Sequence, residues 1–385
     1  MNWKIEALKR LDSIIGKPAS VLARAFVKPR KNLWQGSELF TNQISEDKLK
    51  LLVIRPGGIG DAVLLFPTLK VLKEHFKNSE IEILAEKRNA DLLKGNPYLN
   101  KVHLYDSRPP LELFKTLSGN YDIVIDTEQW HRFSAVVAYL TRAPVRVGFA
   151  TNDRSELFTH NVSYSHEQYE ANSFLNLASA ITGENYDINK NEPFIPIDSE
   201  LIERFDNTIQ ILRKRSKSVI GIFTGATITQ RRWELARFVE LSSNLSQDGV
   251  GIVILGGEED VDGSKRIEKV LGKSRIINYA GRTSLLETAA IISLLDLFVS
   301  SDTGLMHIAY GVGTPTVSLF GAGIQKKWAP IGNHNIVINK NLTCSPCTKF
   351  GYTPRCPYHV RCLNEITVEE VKDYVLSLIS RAQNS

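Results

Sequence analysis

Cysteine and methionine are scarce in this sequence, with four and two residues respectively among 385. All four cysteines lie between positions 344 and 362, which excludes the class of small secreted domains held together by disulfides along their length. Long apolar runs are also missing: the densest one, Ala289–Ser300, is short and contains Asp296, which argues against a transmembrane helix. The first apolar residues are interrupted by charge, so no signal peptide is evident and we expect a cytoplasmic protein.

The small basic excess, a net charge of +5, is concentrated near the N-terminus. Residues 1–32 contain eight lysines and arginines but only two acidic residues, Glu6 and Asp12. Apolar residues recur in the same segment at spacings of three or four. This pattern predicts a basic amphipathic helix in a segment of residues 1–45. Two interpretations fit: peripheral contact with an anionic membrane surface, or a helix packed on the body with solvated lysines. Because no basic aromatic strand accompanies the excess, nucleic acid is not expected as a partner.

Strands alternate with helices in two successive series. The predicted strands are apolar runs at 51–54, 81–85, 102–105, 121–126 and 145–149, and then, after a proline-containing linker at 192–198, at 218–224, 251–255, 276–279, 297–300 and 316–320. Such alternation predicts βαβ units with parallel sheets. We therefore expect an α/β protein with two Rossmann-like, doubly wound domains, residues 46–192 and 199–365, facing each other across a cleft, followed by a helix within 366–385.

A glycine-rich turn, Arg55-Pro56-Gly57-Gly58-Ile59-Gly60-Asp61, follows the first strand and opens a helix. Gly57, Gly58 and Gly60 would let the backbone turn tightly beside a ligand, and a helix start attracts negative charge. Asp61 has two interpretations: an N-cap residue, or a general base at the edge of a ligand site. The string is not GxGxxG, so dinucleotide binding is not supported.

A second turn, Asp302-Thr303-Gly304-Leu305-Met306-His307, joins another strand to a helix. Asp302 or Thr303 can cap that helix, whose first amides would then be directed at an anion such as a diphosphate. His307 lies one turn further on. It is either directed at the same ligand or a core or surface histidine with a backbone partner.

A third strand-to-helix turn contains Thr224 and Thr227, with Arg231 shortly after them. Their hydroxyls can hydrogen-bond a phosphate, and the guanidinium supplies charge-assisted donors. The alternative is a solvated basic turn.

The four cysteines form one cluster, Cys344, Cys347, Cys356 and Cys362, in the spacing C-x2-C-x8-C-x5-C. In a cytosolic chain such a cluster favours a metal over disulfides. Four thiolates suit zinc or a single iron in a structural, fully coordinated site. Four reduced thiols packed in a loop are the alternative.

Two of these motifs, in order, resemble glycosyltransferase family 9, the ADP-heptose:lipopolysaccharide heptosyltransferases. They are Gly58-Ile59-Gly60-Asp61 with Pro67, and Asp302–His307 with Gly313-Thr314-Pro315-Thr316, within a resemblance that spans about residues 50–365. The resemblance implies a GT-B fold and inverting transfer that needs no metal or other cofactor for catalysis. It implies an ADP-sugar donor, ADP-L-glycero-D-manno-heptose being the family expectation, and a lipopolysaccharide inner-core acceptor.

The resemblance also implies roles for the motif residues. Asp61 would be the catalytic base of an acceptor domain at 46–192. In a donor domain at 199–365, a second set would bind the ADP-sugar, with helix amides and Arg231 stabilising the charge on the departing ADP; this set is Thr224, Thr227, Arg231, Asp302, Thr303, Gly304 and His307. The family often has lysine near position 231, so the fork of the arginine side chain is a departure.

Two other functions compete with glycosyl transfer. A nucleotide-sugar epimerase on the same two-domain architecture would release isomerised sugar and need no acceptor. A nucleotide-sugar-binding protein with a decayed site would bind without turnover, although the intact set of Asp61, Asp302 and His307 argues against it.

Overall fold

The computed structural model describes residues 3–28, 48–272 and 275–383. The chain divides into two compact units between Asn189 and Lys190. Each unit is built on one parallel six-stranded sheet with helices around it. The predicted α/β architecture with two doubly wound sheets is therefore confirmed.

The N-terminal unit holds the sheet of order β3-β2-β1-β4-β5-β6. Its strands are β1 Lys50–Arg55, β2 Glu80–Ala85, β3 Lys101–Leu104, β4 Ile123–Asp126, β5 Val145–Phe149 and β6 His160–Val162. Its helices are α1 Trp3–Phe26, α2 Ile59–Leu64, α3 Phe66–His75, α4 Lys87–Lys94, α5 Leu111–Leu117, α6 Arg132–Leu140 and α7 Glu170–Thr182, with a 3₁₀ turn at Asp153–Leu157.

The C-terminal unit repeats this arrangement with the order β12-β11-β10-β7-β8-β9. Its strands are β7 Ser218–Phe223, β8 Val250–Leu255, β9 Ile276–Asn278, β10 Leu297–Ser301, β11 Thr316–Phe320 and β12 Asn335–Asn339. Its helices are α8 Ser199–Arg213, α9 Leu235–Gln247, α10 Val261–Leu271, α11 Leu285–Ser293, α12 Gly304–Gly311, α13 Gln325–Trp328, α14 Arg361–Asn364 and α15 Val368–Gln383, with 3₁₀ turns at Thr229–Arg231 and Glu258–Asp260.

The strand order of each sheet determines where a ligand can bind. Central strands such as β1 and β7 are almost wholly buried because helices cover both faces of a parallel sheet. The order reverses between β1 and β4 in the first sheet and between β7 and β10 in the second. Ligands of doubly wound folds bind at the carboxyl ends of the strands where this reversal occurs. The non-cysteine site residues predicted from the sequence lie in the loops and first helical turns that follow three of these strands, β1, β7 and β10.

The helix predicted after the glycine turn is two helices in the structure. Helix α2 ends at Leu64 and α3 begins at Phe66, with Pro67 in its first turn. Proline has no amide hydrogen and is tolerated only at the start of a helix, so a new helix begins there.

The predicted linker and the predicted separate C-terminal helix are both packed into the C-terminal unit. The amides of Phe194 and Ile195 donate to the Gly311 carbonyl at 2.8 and 2.9 Å. Helix α15 contributes Val371 and Val375, both fully buried, to the core of this unit.

The predicted N-terminal helix is present as α1, while residues 29–45 of the predicted segment lie outside the described residues. Asp12 in this helix accepts hydrogen bonds from the amides of Arg132 and Phe133 at 2.8 Å each, at the start of α6. Burial of Asp12 opposes its ionisation, but hydrogen bonds from His131 and these two amides outweigh it and lower its pKa. Within the described part of the chain, no helix combines the length and the apolarity needed to cross a bilayer.

Candidate active site

Asp61 lies in the first turn of α2, directly after the glycine turn at the carboxyl end of β1. The N-cap interpretation is wrong, because the N-cap residue is Gly58 and Asp61 is the third residue of the helix. Gly57 has a φ of +116°, which favours glycine, and its carbonyl accepts a hydrogen bond from Asn89 at 3.2 Å. Gly60 is the second residue of α2. The turn therefore presents a carboxylate whose side chain is 21% exposed.

A buried polar network surrounds one oxygen of the Asp61 carboxylate. The amide nitrogen of Gln129 donates to Asp61 Oδ1 at 3.0 Å and to Glu170 Oε1 at 2.6 Å. Tyr164 donates its hydroxyl to Glu170 Oε2 at 3.1 Å. Burial and the neighbouring Glu170 carboxylate raise the pKa of Tyr164, so this phenol remains a donor. Gln129 follows β4 and Asp61 follows β1, so their hydrogen bond links the two segments at the reversal point of the sheet.

Two buried arginines hold the loop that carries Gln129. Arg55 donates to the Thr127 carbonyl at 2.8 Å and to Glu128 at 2.9 Å, and its guanidinium lies 3.6 Å from Asp61 Oδ1. Arg154 is fully buried and donates to the Glu128 carbonyl and to a carboxylate oxygen of Asp126.

The charge of Arg55 is stabilised by its surroundings. Burial acts to lower its pKa, but neighbouring carboxylates outweigh burial and raise it; these are Asp61, Glu128, Glu170 and Asp126. Sequence reasoning missed Arg55, Gln129 and Glu170 as parts of the site. The available signal was the polar Thr127-Glu128-Gln129 at the end of a buried strand, which shares an edge of the sheet with the glycine turn.

The second predicted motif forms the start of α12. Thr303 is the N-cap in an extended conformation, with no hydrogen bond from its side chain to the helix, and Gly304 is the first helical residue. The amides of the first turn therefore have no acceptor within the helix and can bind an anion. His307 is buried, with its ring edge-on to Trp328 at 6.1 Å between centroids, so the surface-histidine interpretation is wrong.

Arg231 and Asp302, which were each predicted to bind the ADP-sugar, form an ion pair. Arg231 Nη1 lies 3.0 Å from Asp302 Oδ2, with exposed side-chain fractions of 18% and 4%. A β-carbon at position 323 would lie 2.0 Å from the same oxygen, so only glycine leaves room for this carboxylate. The pair joins the loop after β7 to the loop after β10. Asp302 thereby holds the Arg231 guanidinium in place.

The two predicted threonines of the β7 loop differ in their environment. Thr224 is buried at the end of the strand, and Thr227 is exposed. Arg232 donates to the Ala226 carbonyl at 2.8 Å and so closes the loop of residues 226–232, which contains Thr227. The exposed hydroxyl of Thr227 is therefore accessible to a ligand at this edge of the sheet.

None of the four thiols of the cysteine segment forms a disulfide. Cys344 is exposed, Cys347 and Cys356 are half-buried, and Cys362 is buried. The segment is fixed to the end of β11, where the Cys347 amide donates to the Ala322 carbonyl at 3.1 Å. Burial, followed by neighbouring thiols, raises the pKa of Cys347 and of Cys362. Across residues 3–28, 48–272 and 275–383, no three His, Cys, Asp or Glu side chains are arranged as a ready metal site.

Comparison with known proteins gives one consistent family. The family model for glycosyltransferase family 9 (heptosyltransferase) matches residues 111–354. The chain is 24% identical over 340 residues to lipooligosaccharide heptosyltransferase 2 of Campylobacter jejuni, covering 86% of this chain and 99% of that protein.

Two solved structures share the fold. The glycosyl transferase family 9 protein from Veillonella parvula aligns with a TM-score of 0.72 and 20% identity over 89% of this chain and 100% of its own. The E. coli ADP-heptose lps heptosyltransferase II aligns with a TM-score of 0.67 and 21% identity over 87% and 100%. These likenesses confirm the predicted GT-B fold.

Proposed function

Because this chain belongs to glycosyltransferase family 9, we propose that it transfers heptose, or a related sugar, from an ADP-sugar to a lipopolysaccharide core acceptor. Transfer inverts the anomeric centre and needs no metal in the chemical step. The observation that carries the proposal is a half-buried carboxylate, Asp61, held at the reversal point of a doubly wound sheet. Among the described residues, its hydrogen bond and its ion-pair contact both fall on Oδ1.

The proposed reaction is a single displacement. The acceptor hydroxyl oxygen attacks the anomeric carbon as the bond from that carbon to the diphosphate oxygen breaks, and its proton passes to Asp61. ADP leaves with the electron pair of the broken bond. The first-turn amides of α12, from Gly304 onward, and the Arg231 guanidinium stabilise the charge that develops on the diphosphate. Thr224, Thr227, Asp302, Thr303 and His307 complete the donor site.

A mass-based assay tests this function. Purified protein is incubated with ADP-L-glycero-D-manno-heptose and a truncated lipopolysaccharide, either lipid A–Kdo or a core ending in heptose. We expect one acceptor to gain the mass of one heptosyl residue, with stoichiometric release of ADP. Donor incubated alone should remain unchanged; an isomerised sugar in that control, with no gain on any acceptor, would favour an epimerase and contradict the proposal.

We further propose that the cysteine segment binds one structural zinc or iron ion. All four cysteines of the chain lie within 19 positions of sequence, in the spacing C-x2-C-x8-C-x5-C. Because the thiols are not arranged as a ready ligand set, binding requires local rearrangement and loss of their protons. No catalytic step depends on this ion.

Elemental analysis tests the proposed metal. We expect about one equivalent of zinc or iron per chain, since four thiolates complete a tetrahedral site. The double change Cys344→Ser and Cys347→Ser should abolish retention of the metal and lower the melting temperature, while the active enzyme keeps its KM for the ADP-sugar. Native protein purified without chelators that contains well below one equivalent of any metal would contradict the proposal.

We also propose that helix α1 attaches the protein to the cytoplasmic face of the inner membrane. The inward side of the helix, which includes Asp12 and Ala23, is buried, whereas Ile14, Leu22 and Phe26 are 70%, 56% and 81% exposed. Ile15 and Val21 lie on the same outward face, and Lys17 and Lys28 are exposed beside it. An apolar face bordered by lysines suits an anionic bilayer, in which the lipid part of the proposed acceptor also resides.

Vesicle sedimentation tests the attachment. The triple change Ile14→Ser, Leu22→Ser and Phe26→Ser should weaken binding to phosphatidylglycerol vesicles more than tenfold, because each large apolar side chain contributes about 1.5–3 kcal/mol on burial. Ile211→Ser, which alters another exposed isoleucine, serves as the control and should leave binding unchanged. Equal binding by the triple variant and the native protein would contradict the proposal.

A further inference from the structure

We infer that Gln129 and Glu170 are positioning residues that fix the orientation of the Asp61 carboxylate. The inference rests on the proposed role of Asp61 as the base and adds to it the groups that keep one carboxylate oxygen available for the acceptor proton. Neither residue belongs to the motifs that the sequence singles out.

The Gln129 amide is held between two carboxylates. An amide nitrogen carries two hydrogens, and here one is directed at Asp61 Oδ1 at 3.0 Å and the other at Glu170 Oε1 at 2.6 Å. The opposite orientation of the amide would direct its oxygen at both carboxylates, which repel it. The two acceptors therefore fix which end of the amide faces Asp61.

Glu170 is a rigid support for this bridge. It is fully buried at the first residue of α7, and Tyr164 donates to both of its oxygens, at 3.1 and 3.4 Å. A buried carboxylate is stable only when hydrogen bonds satisfy it, and the Gln129 amide supplies one of them. Moving the Gln129 side chain away would remove a hydrogen bond from a buried charge.

The backbone of Gln129 is equally constrained. The residues before it are held by Arg55, which donates to the Thr127 carbonyl and the Glu128 carboxylate, and by Arg154, which donates to the Glu128 carbonyl. Gln129 itself is 9% exposed. The loop therefore cannot withdraw the amide without breaking contacts to two buried guanidinium groups.

The two oxygens of the Asp61 carboxylate therefore differ in their contacts. Among the described residues, the hydrogen bond from Gln129 and the ion-pair contact from Arg55 both fall on Oδ1. Oδ2 is thereby the oxygen left for the acceptor hydroxyl. A base must lie within hydrogen-bond reach of the proton that it removes, and a displacement of about 1 Å can cost 100-fold in rate. The bridge is thus expected to affect kcat and not substrate binding.

Kinetics of position 129 variants test the inference. Gln129→Met keeps the length of the side chain but removes the donors, and we expect kcat to fall by about 10- to 100-fold with KM for the ADP-sugar and the acceptor within about twofold of native. Gln210→Met is the matched control, since Gln210 also donates to a carboxylate, Asp206, at 3.0 Å on an exposed helix; its kcat should be native. Gln129→Asn, which is too short to span both carboxylates, should resemble Gln129→Met and provides a second, polar variant if the first fails to fold.

Variants of Glu170 separate positioning from general support of the fold. Glu170→Gln can still accept from Gln129 through its oxygen and should keep most of the native kcat. Glu170→Leu cannot accept and should lose kcat as Gln129→Met does. A merely structural role would instead raise both KM values and lower the melting temperature in proportion to the loss of rate.

The outcomes distinguish this inference from the proposed function. Turnover retained in Asp61→Ala would overturn the base and the inference together. An inactive Asp61→Ala with native kcat in Gln129→Met would overturn the inference alone, as would a Glu170→Gln variant no better than Glu170→Leu.

Discussion

Asp61→Ala is expected to abolish glycosyl transfer while the affinity for the ADP-sugar stays within about twofold of native. The methyl group cannot accept the proton of the acceptor hydroxyl, and general-base catalysis is worth about 100- to 10,000-fold in rate. Donor binding should persist because the proposed donor residues belong to the loops after β7 and β10. Turnover measured by acceptor mass, with calorimetric titration of the ADP-sugar, checks both parts.

Two features make this result interpretable. Arg55 keeps its hydrogen bonds to Glu128 and to the Thr127 carbonyl when Asp61 is removed, so the variant should fold. Asp262→Ala is the matched control, because Asp262 is also a first-turn helix aspartate and is exposed. Native turnover in Asp262→Ala together with substantial turnover in Asp61→Ala would mean that another group is the base.

Arg231→Ala is expected to lower kcat/KM by about 100- to 1,000-fold, since removing one donor to a developing negative charge has an effect of that order. The change also leaves the carboxylate of Asp302 buried without its cation and close to the place proposed for the diphosphate. We expect a decrease in the free energy of unfolding of about 3 kcal/mol. Steady-state kinetics and chemical denaturation measure the two effects separately.

Further variants assign each effect of Arg231 to its cause. Arg231→Lys keeps the charge as a point donor and should recover part of the rate. Arg231→Met combined with Asp302→Asn removes both charges and should recover stability without activity. Arg204→Ala, which breaks an exposed pair with Glu287, should leave kinetics and stability near native. Native kcat/KM in Arg231→Ala would remove Arg231 from the donor site.

The fold was largely predictable because its central strands are continuous buried apolar runs. Strands β1, β4, β7 and β10 could be predicted directly from such runs. A strand of a parallel sheet that is covered on both faces has no alternation of polar and apolar residues. The two strands that were missed, β6 and β12, are edge strands in which only Ile338 is buried, and asparagine stands within β6 and at both ends of β12. Strand β6 has only three residues and gives little signal, whereas β12 contains the β-branched run Ile336-Val337-Ile338, which does favour a strand and was overlooked.

The site was predictable only where its residues stand in local motifs. Asp61 and Thr303 follow a strand and open a helix, so their place at the sheet edge could be read from the sequence. Gln129 meets Asp61 across 68 positions and Glu170 across 41, and no local pattern encodes either contact. The pairing of Arg231 with Asp302 was missed for the same reason: each was assigned to a phosphate because its partner is distant in sequence.

The hydrogen bonds from the start of α6 to Asp12 have a practical consequence for shortened forms of this protein. A chain beginning after Lys28 would lack the acceptor for the amides of Arg132 and Phe133, which follow Gln129 by three and four residues. Loss of activity in such a truncation would therefore report damage to the neighbourhood of the base, whatever the helix does at a bilayer. Point changes on the outward face, which leave Asp12 in place, are the way to study the two separately.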